Sequence, residues 1–312
     1  MKRAVKSYSA WQLGAPLYMP GNRRDILEIA NGEKYPWLRS MIFCTEDAVS
    51  SAELESCIKY LGDCLEDFNA ATPQYRFIRA RNPEILNRLL QLPDIDKIDG
   101  FVLPKFTDAV FDAYFAQLQG TAFKIMPTLE TNEVFNINTM TALCQRLLES
   151  DLLENILMLR VGGNDLLNLL GLRRERLSTI YETPLGHIIA QLVTIFKPYG
   201  FALSAPVFEY LDDPFTLLKE MQIDLAYGLI GKTAIHPSQV PTIESAYKVN
   251  HEDYEMALSI SHTEAPAVFK MHNAMCEVAT HQQWAENIIN RQQCYGTKAE
   301  VSIADIAELS FK

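Results

Sequence analysis

Residues Gly231 to Gln239 read GKTAIHPSQ, and they follow the apolar run Ile223-Asp224-Leu225-Ala226-Tyr227-Gly228-Leu229-Ile230. The order is that of a buried strand, a glycine turn, a lysine, a short strand-like segment and a His236-Pro237 pair. In a barrel of parallel strands, chemistry-bearing side chains collect at the C-terminal ends of the strands. Lys232 and His236, placed just past such a run, are candidates for a site. A surface loop in which His236 only caps a turn satisfies the same spacing.

Seven further apolar runs precede this stretch: Pro16–Pro20, Ser40–Asp47, Tyr75–Ala80, Ile98–Lys105, Phe123–Glu130, Asn155–Val161 and Gly200–Phe208. With Ile223–Ile230 they make eight, each separated from the next by a helix-like segment. Strands that are apolar throughout suit a parallel sheet buried on both faces. Eightfold strand–helix alternation predicts an α/β fold, a (β/α)8 TIM barrel, over residues 14–240. The helices carry their own signals. Leu54, Ile58, Leu61, Leu65 and Phe68 form one apolar stripe, with Ser50 and Glu53 ahead of it as a capping box. Asn82-Pro83 and Asp213-Pro214 place a capping side chain before a proline at the first helical position. Gly200 closes a helix ahead of the seventh run. Beyond the barrel, residues 240 to 292 read as helix, with Ala257, Ile260, Val268, Met271, Met275, Val278 and Trp284 on the apolar side and a break at Ala265-Pro266. Residues 241–312 are therefore expected to be a C-terminal helical extension that caps the barrel or reaches a neighbouring subunit.

Composition narrows the function. A chain of 312 residues with 48% hydrophobic residues suits one large barrel plus an appendage, since such barrels take about 250 residues. The net charge of −11 argues against sequence-independent nucleic-acid binding, so any anion site must be locally basic. No run reaches the roughly 18 apolar residues of a membrane span, and the first residues lack an apolar core of signal-peptide length. The six cysteines form no CxxC pair. The expectation is a cytoplasmic protein with reduced, mostly buried thiols.

Several polar residues stand at strand ends. Glu130 ends the fifth run and Asp165 closely follows the sixth, so the two carboxylates converge at the mouth of a barrel. Two carboxylates completed by water and substrate oxygens are a usual Mg²⁺ environment; alternatively, each carboxylate caps its own turn. Gly162-Gly163 lets backbone approach a ligand closely, or serves only a turn. Arg79, at the end of the third run, matches a carboxylate through its planar fork. Glu46-Asp47 end the second run, with Glu46 the better candidate for a proton acceptor. Lys105 after the fourth run adds positive charge to the mouth or joins a structural ion pair. Arg79 and Arg81 occupy alternate positions and so are expected to share a strand face.

The GKTAIHPSQ stretch resembles the GK-x-x-IHP-x-Q signature of the HpcH/HpaI aldolase and citrate lyase beta-subunit family. LYMPGNR (Leu17 to Arg23), TEDAV (Thr45 to Val49), IRAR (Ile78 to Arg81), GFVLPK (Gly100 to Lys105), PTLET (Pro127 to Thr131) and GGND (Gly162 to Asp165) agree with that family in order. The resemblance implies a Mg²⁺-dependent carbon–carbon lyase of aldol or Claisen type, acting on a 2-oxo or 2-hydroxy acid. It implies Glu130 and Asp165 as Mg²⁺ ligands and Arg79 as the residue that grips the substrate carboxylate. Arg79, Glu46 and Lys105 are then the candidate catalytic residues. Arg79, Arg81, Arg23, Pro127, Gly162 and Gly163 are the candidate substrate contacts. A coenzyme A ester is a possible substrate, and the family's common assembly is a homotrimer. Three departures stand out. Cys44 takes the place of an expected Asp, Gly14-Ala15 take that of Arg-Ser, and Arg81 takes that of Asn. Together they make the pocket more positive with less provision for coenzyme A, and the expected substrate is a small anion with a second carboxylate or a phosphate. A metabolite-binding barrel without catalysis, or a related acyl-CoA condensing enzyme or thioesterase, fits the same residues.

Overall fold

The computed structural model describes residues 6–298. Seven parallel strands run in sequential order: β1 (Leu17–Pro20), β2 (Ser40–Cys44), β3 (Tyr75–Arg79), β4 (Gly100–Leu103), β5 (Lys124–Leu129), β6 (Leu159–Val161) and β7 (Leu203–Ser204). Each pairs with the next in parallel register. The residues at Gly231–Ala234 close the sheet on itself. The Ala205 N–H donates to the Gly231 carbonyl at 2.9 Å and the Tyr18 N–H to the Ala234 carbonyl at 2.9 Å, and parallel bridges link Ala205 to Lys232 and Leu17 to Ala234. The result is the eight-staved TIM barrel.

The eighth stave is not where the apolar run placed it. Ile223–Ala226 is instead the last turn of a helix, Pro214–Ala226. Asp213 caps that helix, accepting the Thr216 N–H at 2.9 Å, and Pro214 fills its first position, as expected. Gly228 ends it with φ of 69°, and the Leu229 N–H reaches back to the Asp224 carbonyl. A short apolar run does not distinguish a buried strand from a helix end, and here the strong N-cap decides it. The stave begins only after Ile230.

The helices are α1 (Ile26–Ala30), α2 (Leu54–Glu66), α3 (Pro83–Leu90), α4 (Asp108–Leu118), α5 (Ile137–Leu148), α6 (Gly163–Leu169), α7 (Leu185–Phe196), α8 (Pro214–Ala226), α9 (Gln239–Ala246), α10 (His251–Ile260) and α11 (Val278–Tyr295). The stripe on α2 is buried at Ile58, Leu61 and Leu65. Its capping box does not form: Ser50 Oγ donates to the Glu53 carboxylate at 2.6 Å, and the helix starts one residue past Glu53. Asn82 caps α3 as read, accepting the Ile85 N–H at 2.9 Å.

The chain divides into two units, one ending at Ile243 and one starting at Glu244. The second has its own core of Val249, Ala257, Ile260, Cys276, Ala285 and Ile288. It is not helical throughout. A hairpin of β8 (Val268–Met271) and β9 (Ala274–Glu277) interrupts it. His272 and Asn273 form its two-residue turn, with φ of 45° and 61°, the left-handed pair that such tight hairpins need. The expected break at Ala265-Pro266 is thus a change to strand. Residues from 299 onward in the expected extension lie outside the described residues.

Candidate active site

A cavity of about 340 Å³ opens at the C-terminal ends of the strands, lined by Tyr18, Arg79, Thr128, Glu130, Arg160 and Asp165 among others. Glu130 directly follows β5, Arg79 and Cys44 are the last residues of β3 and β2, and Asp165 sits in the first turn of α6. These are the positions a TIM barrel gives to chemistry.

Arg79 gathers the carboxylates. Its Nη2 lies 2.9 Å from Glu46 Oε2 and 3.0 Å from Glu130 Oε1, and its Nη1 lies 3.1 Å from Asp47 Oδ2. Burial works against its charge, but Tyr18 and the acids around it raise its proton affinity, so it stays a cation. Lys105 turns into the left-handed region with φ of 49°. That conformation costs a non-glycine residue on the order of 1 kcal/mol. It aims the Lys105 N–H at Glu130 Oε1, 2.8 Å away, while Nζ pairs with Glu46. Glu130 Oε1 thus accepts two bonds, and Oε2 has no hydrogen-bond partner among the described residues.

The glycine pair makes room for this carboxylate. A Cβ on Gly162 would lie 2.4 Å from both Cβ and Oε2 of Glu130, and a Cβ on Gly163 would lie 2.7 Å from Pro206. Burial, opposed by Arg79 and reinforced by Asp165, pushes the Glu130 carboxyl up to about 7. Burial and then Asp47 also push Asp165 up. Two acids that each resist ionisation on one wall of a cavity are a natural seat for a cation. The donors are hard oxygens, which suits Mg²⁺. No cluster of three metal-binding side chains occurs among the described residues, so such an ion would complete its shell with water and substrate oxygens.

Other expected residues have different places. Glu46 is buried between Arg79 and Lys105 and does not line the cavity; its neighbour Asp47 does. Burial and Asp47 raise Glu46. Burial also acts on Asp47, but the bond with Glu46 and the cations Arg79 and Lys105 outweigh it and hold Asp47 low. Arg81 does not share a face with Arg79, because β3 ends at Arg79. It donates instead to the carbonyls of Thr45 and Glu46, at 3.0 and 3.1 Å, to that of Val49, and to Ser51 Oγ at 3.0 Å, holding the β2–α2 loop. Arg23 pairs with Asp25 outside the cavity, and Pro127 is buried within β5. Gly162 and Gly163 line the cavity as expected.

Lys232 is fully buried and faces away from the cavity, 2.7 Å from Glu220 and 3.0 Å from Asp224. Arg174 joins the same network at 2.6 Å from Glu220. His236 Nδ1 meets Ser238 Oγ at 2.8 Å and accepts the Ser238 N–H, the capping role that the spacing left open. Sequence reasoning missed Tyr18, Thr128 and Arg160 in the cavity. Tyr18 and Thr128 lie inside the LYMPGNR and PTLET stretches without having been singled out, and Arg160, an arginine inside the apolar run that becomes β6, was a visible signal outside every motif.

The chain belongs to the family of carbon–carbon bond lyases of the TIM-barrel fold, which it matches over residues 7–297. The HpcH/HpaI and citrate lyase beta-subunit resemblance stands with it. Comparison with curated protein sequences finds no match. Solved structures share the fold. A citrate lyase from Burkholderia xenovorans is 14% identical, with 95% of this chain and 96% of that one covered, at a TM-score of 0.70. CitE from Mycobacterium tuberculosis, in complex with magnesium, acetoacetate and coenzyme A, is 20% identical over 90% of this chain and 99% of that one, at 0.65. The citrate lyase beta subunit of the same organism, complexed with oxaloacetate and magnesium, is 19% identical over 76% and 98%, at 0.55. No helix among the described residues is long and apolar enough to cross a membrane.

Proposed function

We propose that this lyase is Mg²⁺-dependent and cleaves or forms a carbon–carbon bond in a 2-oxo or 2-hydroxy acid, by aldol or Claisen chemistry. The observation that carries this reading is Glu130. Its buried carboxyl is raised to about 7, one oxygen is anchored by Arg79 and Lys105, and Gly162 leaves space at the other. Glu130 and Asp165 hold the metal, which when bound supplies Lewis-acid stabilisation of the oxygen where negative charge develops. Arg79 fixes Glu130 and turns its cavity-facing edge toward the substrate carboxylate. Glu46 and Asp47 form the proton store at the rim. Burial favours a proton on Glu46, and the Asp47 carboxylate, which faces the cavity, passes it to the departing enolate carbon. The cavity volume suits a small acid, so a coenzyme A ester would seat only its acyl end here. Relatives bound to coenzyme A and oxaloacetate support these ligand classes.

We place the protein in the cytoplasm as a homotrimer. Val268 and Met275 on the hairpin are 56% and 63% exposed, apolar surface suited to a neighbouring copy. Light scattering giving a monomer mass would refute the assembly. For the site, Glu130→Gln and Asp165→Asn should each abolish Mg²⁺-dependent binding of pyruvate or oxaloacetate in calorimetry. Unchanged binding in both variants would show that the metal sits elsewhere.

A further inference from the structure

Arg160 occupies the middle of β6, between Thr128 of β5 and Ser204 of β7 in direct register. It is 5% exposed and lines the cavity. Its Nη2 donates to Thr233 Oγ1. Among the described residues, the buried Nε and Nη1 have no hydrogen-bond partner and Arg160 forms no ion pair. Arg79 and Arg174, also buried, face carboxylates at 2.9–3.1 Å and at 2.6–3.1 Å. A buried guanidinium without a counter-ion is strongly destabilising. The Tyr18 ring, 5.2 Å from its Cζ, offsets only part of this cost as a cation–π contact. The remainder calls for an anion from solution. The hydroxyls of Thr128 and Ser204 on either side are also buried without hydrogen-bond partners among the described residues, and Thr128 lines the cavity. Hydroxyls flanking an unspent guanidinium are the donor set of a carboxylate or phosphate seat.

We propose that Arg160, with Thr128, is a second anion-binding pole of the cavity, and that the substrate is a small oxo acid whose far end carries a carboxylate or a phosphate. The substrate class rests on the lyase reading above; the anion pole itself does not. The cavity then has two unlike walls. One is the Glu130–Asp165 wall, where Arg79 is already paired with Glu46, Asp47 and Glu130. The other is a net cationic wall at Arg160. A monocarboxylate satisfies only the first. The extra positive charge that the sequence pointed to does exist in the cavity, but Arg160 supplies it and Arg81 does not.

The test has two arms. With Mg²⁺, calorimetry compares pyruvate, oxaloacetate and a phosphorylated three-carbon oxo acid on wild type, Arg160→Gln and Thr128→Val. Wild type should prefer one of the dianions over pyruvate by about tenfold or more, the usual scale of one lost charge-assisted bond. Which dianion wins identifies the far group. Arg160→Gln should collapse that ratio, and Thr128→Val, which is close in shape and keeps the guanidinium, should reduce it. Without metal, malonate and inorganic phosphate should raise the melting temperature of wild type but not of Arg160→Gln. This arm decides the anion pole even if no oxo acid binds with Mg²⁺, an outcome that would overturn the lyase reading alone. Equal affinity of wild type for mono- and dianions, an unchanged ratio in Arg160→Gln, or no anion stabilisation in the metal-free arm would overturn the proposal.

Discussion

Titrating metal-free protein tests Glu130 without any substrate. Its carboxyl ordinarily titrates at 4.5 and is pushed up to about 7 in the fold. Between these values the folded state holds a proton that the unfolded chain has released, so stability falls as pH rises through the window. At about 1.4 kcal/mol per pH unit, the shift is worth about 3 kcal/mol. That penalty is absent near pH 4.5 and fully present above pH 7. Asp165, also pushed up, adds to it with the same sign. Glu130 is 4% exposed, so solvent screening does little to dilute the effect. Urea unfolding in chelator from about pH 5 to about pH 7.5 should therefore show wild type losing about 2–3 kcal/mol that Glu130→Gln does not lose. Saturating Mg²⁺ should flatten the slope for wild type, because the ion binds the deprotonated acid and its affinity rises with pH up to about 7, offsetting the loss. A wild-type slope equal to that of Glu130→Gln would refute the reasoning, for it would mean the carboxyl is ionised throughout without help.

Three further outcomes follow from single contacts. Gly162→Ala puts a methyl 2.4 Å from the Glu130 carboxylate; relieving it should cost about 1–3 kcal/mol of stability and lower Mg²⁺ affinity by about tenfold or more, and calorimetry showing wild-type affinity would contradict the packing argument. Lys232→Met leaves Glu220 and Asp224 buried beside a missing cation, so urea midpoints should report a loss of about 3–5 kcal/mol; a neutral result would mean the network is not where the stability lies. Arg81→Met should cost about 2–3 kcal/mol through the freed β2–α2 carbonyls and leave the preference among oxo acids unchanged. An altered preference at unchanged stability would return Arg81 to the cavity.

The barrel was legible because its strands are buried on both faces and their apolar runs stand out from the helices between them. Glu130, Asp165 and Arg79 were legible because chemistry in this fold gathers at strand ends, and each is a charged residue at or just past the end of an apolar run. The same rule misled at Glu46 and Arg81. Glu46 is the first acid past β2, yet Arg79 and Lys105 draw it off the cavity and Asp47 takes the lining position. Arg81 is two residues past Arg79, but alternation holds only while the strand lasts, and β3 stops at Arg79. The hairpin at Val268–Glu277 escaped because its apolar residues also fit a helical spacing. Its signal, the His272-Asn273 pair, depends on backbone conformation rather than polarity.

The most specific stretch of sequence turns out to bridge scaffold and site. Successive residues of a strand point to opposite faces, and GKTAIHPSQ uses both. Lys232 points outward, where Glu220 and Asp224 of α8 neutralise it and fix that helix against the last stave. Thr233 points inward, where its hydroxyl takes the Arg160 Nη2 donor. Gln239 then ties the loop back, accepting the Ile235 N–H at 2.9 Å and donating to the Phe208 carbonyl at 2.8 Å. The lysine that first drew attention is thus the outward anchor. The adjacent threonine spends one arm of Arg160 and so orients the guanidinium, leaving its other donors in the cavity. A buried ion-pair network on the outer face of one stave thereby sets the position of a cation on its inner face.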